Sequence, residues 1–185
     1  MDIKIVEMKT HNIHDVNQCD NEFIIDSKLI LNINQGEIVY STIRLPLTRK
    51  RYGVDIIDYM TYVENPDRVV FLAYKDDQVA GQIILRKNWN NFAYIEDITV
   101  DVKFRRLGIG KELISQAKHW ARNSNLVGIM LETQDNNVAA CKFYEKCDFC
   151  LRGFDTYLYK GIDRVSDEIA LYWYLVFSEV NHPLP

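Results

Sequence analysis

The pattern of apolar and polar residues divides this chain into hairpins, a strand–helix–strand–helix unit, and closing strands. Residues 3–8 alternate well enough for a first strand, and residues 11–19 suit a short helix. Two β-rich runs, residues 28–33 and 38–43, flank the turn-forming Asn34-Gln35-Gly36 and predict a hairpin. Residues 55–64 carry Ile56, Ile57, Met60 and Val63 at helical spacing, with Pro66 just beyond as a stop. Residues 69–74 and 79–85 form a second hairpin around Lys75-Asp76-Asp77-Gln78, and residues 92–100 another strand. An amphipathic helix follows, with Leu113, Ile114, Ala117, Trp120 and Ala121 on one face and Lys111, Glu112, Gln116 and Arg122 towards water. Residues 128–133 read as a short buried strand. Asn136 or Asn137 then caps a helix reaching about Cys147. Residues 150–159 and 169–177 are strand-like, the latter loaded with Tyr172, Trp173, Tyr174 and Phe177. The fold class is mixed α/β, in the α+β sense, with helices on both faces of one sheet.

Composition narrows the function. The 185 residues suit one domain spanning 1–185, without a repeat or linker. Lys and Arg number 22 against 26 Asp and Glu, so the formal charge of −4 disfavours nucleic acid and anionic membranes and favours a cationic small-molecule partner. No apolar run has the length of a membrane span, and charges interrupt residues 1–7 where a signal peptide is apolar; a soluble cytoplasmic protein is expected. Cys147 and Cys150 spell C-x-x-C, but no second pair exists and His11, His14, His119 and His182 are scattered. The pair also follows a helix rather than opening one. Reduced, partly buried thiols and no metal are expected.

Arg105-Arg106-Leu107-Gly108-Ile109-Gly110 lies between a strand and a helix. Glycines there let the backbone approach an anion, helix N–H groups point at it, and two arginines add charge-assisted bonds. Neither the dinucleotide signature nor the nucleoside-triphosphate loop is present.

R-x-x-G-x-G after a strand, then a second strand, then Asn137-x-x-Ala140-x-x-x-Tyr144, resembles the GNAT superfamily of N-acetyltransferases over roughly residues 69–159. Within it, residues 89–98, residues 131–137 and the closing Ala170-Leu171-Tyr172-Trp173-Tyr174-Leu175 are similar to streptothricin acetyltransferases, which acetylate an amino group on the β-lysine part of that antibiotic. The resemblance implies a mostly antiparallel sheet flanked by helices, with acetyl-CoA held where two parallel strands splay. It makes Arg105, Gly108 and Gly110 the pyrophosphate turn, with Arg106, Leu107, Ile109 and Lys111 beside it. Ile98, Thr99 and Val100 would meet the pantetheine arm, and Asn137, Ala140, Phe143 and Tyr144 the other side of the donor. The family's helix ends in Gly where this chain has Asp148. Asp tolerates the left-handed cap better than most residues.

Acetyl transfer needs a neutral amine, and a lysine-type ammonium has a pKa near ~10.4. A carboxylate, directly or through water, would take the proton, backbone N–H groups near Ile98 would hold the oxyanion, and Tyr144 would protonate the leaving thiolate. On an extended strand Tyr94, Glu96, Ile98 and Val100 share one face, and Ile95, Asp97 and Thr99 the other. Glu96 is favoured as base, with Asp97 and water as alternatives; Glu96, Asp97, Glu132 and Asp135 are the candidate cation-binding residues. Other amine acceptors (a polyamine, an aminoglycoside, a protein lysine) and a non-catalytic acyl-CoA sensor compete with streptothricin acetylation. Both a monomer and a homodimer fit the sequence.

Overall fold

The computed structural model describes residues 3–51, 53 and 56–177. Its strands are β1 (Ile3–Glu7), β2 (Phe23–Asn34), β3 (Glu37–Lys50), β4 (Arg68–Lys75), β5 (Gln78–Lys87), β6 (Ala93–Val100), β7 (Gly128–Gln134), β8 (Cys150–Asp155) and β9 (Ala170–Val176). Helix α1 (Ile109–Asn123) links β6 to β7, and α2 (Val138–Glu145) links β7 to β8. Seven strands form one sheet in the order β1-β4-β5-β6-β7-β9-β8. Every pairing in it is antiparallel except that of β6 with β7. The mixed, mostly antiparallel sheet is the architecture expected from the sequence.

Both α-helices lie on one face of this sheet. Ile109, Leu113, Ile114, Ala117 and Ala121 form the buried stripe of α1 and join Ile83, Leu85, Ala93, Ile95, Ile129 and Leu131 in the main core. Full burial of a side chain such as Leu113 contributes roughly 1.5–3 kcal/mol. Helix α2 adds Val138, Cys141 and Tyr144 to the same core, with Tyr144 6.2 Å from the ring of Trp173. The expectation of helices on both faces is corrected here. The opposite face is covered by two 3-10 turns, Thr10–Asp15 and Tyr59–Tyr62, over Met8, Val70, Leu72 and Ile84.

Those turns replace the two helices expected at residues 11–19 and 55–64. Of the second, Asp55 lies outside the described residues, and the rest supplies too little to bury. Ile56 and Met60 point to solvent, and Tyr62 is the buried residue of the turn. Asp58 caps the turn by accepting from the Met60 N–H, and Val63 is already extended at φ −71° and ψ 125°. Strand β8 likewise stops short of residue 159. The Asp155 carboxylate accepts from the N–H groups of Tyr157 and Leu158, which bends the chain into a 3-10 turn at Leu158–Gly161.

The first hairpin is longer than its apolar runs suggested and forms a separate two-stranded sheet paired from Phe23 with Lys50 to Asn34 with Glu37. It stands over the α2 and β8 side of the molecule. Leu29 enters the main core, its N–H donates to the Asp135 carbonyl, Tyr40 donates to Glu145, and Arg152 donates to Glu37.

Candidate active site

The site begins where the parallel pairing fails. Strands β6 and β7 are in register at Ala93–Ile129, Tyr94–Met130 and Ile95–Leu131, and no further. Beyond that fork the remaining halves of both strands border a cavity of about 980 Å³. Backbone groups of β6 are left facing it. The Asp101 N–H donates to the Ala80 carbonyl across the antiparallel β5–β6 ladder. Alternation along that ladder turns Thr99 and Asp97 towards β5 and leaves the N–H and C=O of Ile98 and Val100 pointing into the gap.

A β-bulge decides which side chains meet there. The β5–β6 register passes from Ile84–Asp97 to Leu85–Ile95, so Glu96 is the extra residue. The core-facing set therefore changes from Ala93 and Ile95 to Ile98 and Val100. This corrects the simple alternation read from the sequence. Glu96 and Asp97 lie on the same face, opposite α1. Glu96 binds Arg86 and Asp97 binds Gln82, and these alternate with Leu85 and Ile83 on β5.

Glu96 accepts from the Tyr62 hydroxyl at 2.6 Å on one oxygen and from Arg86 Nε at 3.0 Å on the other. Asp97 accepts from Gln82 Nε2 at 2.6 Å and from Thr99 Oγ1 at 3.1 Å. Burial pushes the Asp97 carboxyl up, against the pull of those two hydrogen bonds. Glu132 is the first residue of β7 past the fork and shares this wall. Burial raises its pKa, the hydrogen bond from the Tyr159 hydroxyl opposes that, and Glu168 reinforces it. Asp135 is placed elsewhere. Its carboxylate is buried away from the cavity wall, with Oδ1 accepting from the Ile169 N–H at 3.2 Å.

Ile98, Thr99, Asn137, Ala140 and Tyr144 also line the cavity. Asn137 does so as the cap of α2, its side chain accepting from the Ala140 N–H. Phe143 sits behind this wall, its ring against Gly110 and 5.6 Å from that of Tyr144. The turn of residues 105–111 lies outside the cavity, at the surface near the Val100 end of β6. Gly108 is the N-cap of α1 at φ +90°, a conformation that glycine adopts without strain. Its carbonyl accepts from Lys111 and Glu112, so the N–H groups of Ile109 and Gly110 open the helix without intrahelical partners. Arg105 Nε donates to the Val100 carbonyl at 3.1 Å and ties the turn to the end of β6. Arg106 is exposed at φ +65°. Asp148 takes the left-handed conformation, φ +70°, at the end of α2.

Sequence reasoning missed the far wall. Tyr159 and Glu168 come from the connection between β8 and β9, and Asn17, Cys19 and Arg51 from the chain flanking the first hairpin. None sits in a motif, and long-range packing alone brings them here. The cysteines are all free thiols, with Cys147 buried and Cys150 exposed. No group of three or more His, Cys, Asp or Glu suited to a metal ion comes together among the described residues. No described helix is long and apolar enough to cross a membrane.

Known proteins share this arrangement. Streptothricin acetyltransferase A of Bacillus subtilis (strain 168) is 36% identical over 174 residues, covering 94% of this chain and 99% of that protein. The streptothricin acetyltransferase of Escherichia coli is 37% identical over 155 residues, covering 84% and 86%. A 1.6 Å crystal structure from Bacillus anthracis str. Ames, assigned as a streptothricin acetyltransferase and in complex with acetyl coenzyme A, superposes with a TM-score of 0.89. It is 47% identical and covers 96% of this chain and 99% of that one. The crystal structure of nourseothricin acetyltransferase gives a TM-score of 0.79 at 26% identity, covering 95% and 99%. Residues 38–149 match the acetyltransferase (GNAT) family model, which spans the fork, the glycine turn and the Asn137–Tyr144 helix. The chain belongs to the GNAT family of acetyltransferases.

Proposed function

We propose that this chain transfers an acetyl group from acetyl-CoA to an amino group on the β-lysine part of streptothricin, and so confers resistance to it. The fork between β6 and β7 carries the reading. It offers the backbone N–H and C=O of Ile98 and the N–H of Val100 to an extended thioester arm, beside a wall of carboxylates suited to a cationic acceptor. The relatives named for streptothricin and nourseothricin, alike over most of the chain, support that choice of amine.

The fit for the donor rests on two local observations. A Cβ at Gly110 would fill space against Phe143, and the first N–H groups of α1 stand open at Gly108. Arg105, Arg106, Gly108 and Gly110 would hold the pyrophosphate, Leu107, Ile109 and Lys111 would lie beside it, and Asn137, Ala140 and Phe143 would flank the arm. Acetyl-CoA supplies the thioester carbonyl that the amine attacks. The Ile98 N–H would donate to the oxygen of that carbonyl as charge develops on it. Tyr144, on the cavity wall, would give its proton to the departing sulfur. Glu96, Asp97 and Glu132 would draw an ammonium into the cavity and turn away anionic acceptors.

Incubating the protein with acetyl-CoA and streptothricin and reading the product by fragmentation mass spectrometry tests this. One added acetyl group on a β-lysine nitrogen supports the reading; an acetyl group elsewhere on the molecule, or unmodified antibiotic, refutes it.

A further inference from the structure

Three carboxylates stand on the splayed strands at the fork, and their hydrogen bonding differs. Glu96 has a donor on each oxygen, Arg86 on one and Tyr62 on the other. Asp97 also has a donor on each, Gln82 and Thr99. Each carboxylate oxygen has two lone pairs, so a donor on both oxygens does not block protonation, but it stabilises the ionised form and makes the group a weaker base. Glu132 differs. Its Oε1 accepts from the Tyr159 hydroxyl, and among the described residues no donor reaches Oε2. It is also the first β7 residue beyond the last parallel pair, and it lies on the cavity wall.

We infer that Glu132 is the base that takes the proton from the attacking amine, with Tyr159 as the residue that positions it. This rests on the proposed acetyl transfer. The amine nitrogen forms a bond to the acetyl carbon and gives one proton to Glu132 Oε2. The carbon–sulfur bond breaks, its electron pair leaves with sulfur, and sulfur takes a proton from Tyr144. The ammonium gives up one proton to solvent before it attacks, and solvent then restores Glu132 and Tyr144, so one ammonium and one thioester yield one amide, one thiol and one released proton. Glu96 then serves the ammonium as a fixed negative charge.

The surroundings of Glu132 suit the task. Tyr94 faces it from β6, Tyr172 from β9, and Tyr159 and Glu168 from the β8–β9 connection. Glu168 is itself paired with Lys50. Tyr94 is pushed up to about 12, chiefly by burial and then by the charge of Glu132, so it stays a neutral phenol beside the carboxylate. Burial holds Glu132 above the ordinary carboxylate range, which moves a base towards working pH.

The test uses the full chain and four proteins: wild type, Glu132→Gln, Tyr159→Phe and Glu96→Gln. Streptothricin binding is measured by calorimetry without acetyl-CoA, and kcat and KM by thiol release between pH 5.5 and 9.5. For Glu132→Gln we expect kcat to fall about 10²–10⁴-fold while the binding constant changes by less than roughly tenfold. Its rate should climb with pH as solvent supplies the free amine. For Tyr159→Phe the acidic limb should move to higher pH, because a hydrogen bond that lowers the Glu132 pKa is gone. For Glu96→Gln the loss should fall on KM and on binding, with the acidic limb retained. A Glu132→Gln variant that melts like wild type and keeps kcat within threefold overturns the assignment. So does an acidic limb that disappears with Glu96→Gln instead, or one that Tyr159→Phe does not move. Absence of thiol release by the wild type would instead overturn the proposed function.

Discussion

Adding one methyl group at Gly110 tests how the glycine turn and α2 are coupled. An ideal Cβ there lies 3.0 and 3.2 Å from two ring carbons of Phe143 and 3.7 Å from a methyl of Val100. Carbon pairs are comfortable at about 3.5–4.0 Å, so the ring must retreat by about 0.5 Å. Overpacking of this kind costs about 1–3 kcal/mol. Alanine returns up to about 1 kcal/mol over glycine inside a helix. Gly110→Ala should therefore destabilise by about 0–3 kcal/mol, a fall in Tm of roughly 0–12 °C for a chain of this size. The informative experiment is the double-mutant cycle with Phe143→Ala, followed by urea denaturation of all four proteins. Once the ring is gone, Gly110→Ala should become neutral or stabilising, with a coupling of about 1–3 kcal/mol between the sites. The displaced ring should also raise KM for acetyl-CoA in the single variant. An equal effect of Gly110→Ala with and without the ring would refute the argument.

Three further outcomes are expected. Arg105→Ala combined with Arg106→Ala should weaken acetyl-CoA binding by calorimetry, at about 1.5–3 kcal/mol per lost charge-assisted bond, and unchanged affinity would sink the phosphate assignment. Tyr144→Phe keeps the ring that packs near Trp173 and removes only the hydroxyl, so Tm should hardly move while turnover falls by roughly 10²-fold or more; full activity would return Tyr144 to the core alone. Burial raises the Asp97 pKa in the folded state, so its contribution to stability is present at low pH and is lost as pH rises through the folded value. Asp97→Asn, whose amide can still meet Gln82 and Thr99, should therefore gain Tm relative to wild type between pH 4 and 7, and a constant difference across that range would contradict the sign.

The elements that build the fork were legible because each carries its own local signal. Helix α1 shows a five-residue apolar stripe, Asn137 stands at the cap it occupies, and Gly108 marks the turn that needs a positive φ. Asp148 was readable as a strained substitute for glycine, and it adopts the left-handed conformation. The bulge at Glu96 has no such signal. It inserts one residue without a glycine or proline, so the alternation along β6 gave the wrong partner faces for Glu96 and Asp97. The helices expected around residues 11–19 and 55–64 failed for a different reason. Each covers the sheet with only a few side chains, Ile13 and Val16 in the first and Tyr59, Tyr62 and Val63 in the second, while Ile56 and Met60 remain in solvent, so a single turn is enough. Tyr159 and Tyr62, which hold Glu132 and Glu96, lie 27 and 34 residues away from them in the chain, beyond the reach of any pattern of spacing.

The most direct test of the account is the ratio of kcat/KM values for purified protein and acetyl-CoA across an amine panel, read as free thiol. The panel holds streptothricin, a polyamine, an aminoglycoside and a lysine peptide. The fork, the donor turn and the carboxylate wall predict thiol release with streptothricin, at a kcat/KM well above that of every other amine. Binding of acetyl-CoA with no thiol release from streptothricin, or a higher kcat/KM for another amine, would contradict it.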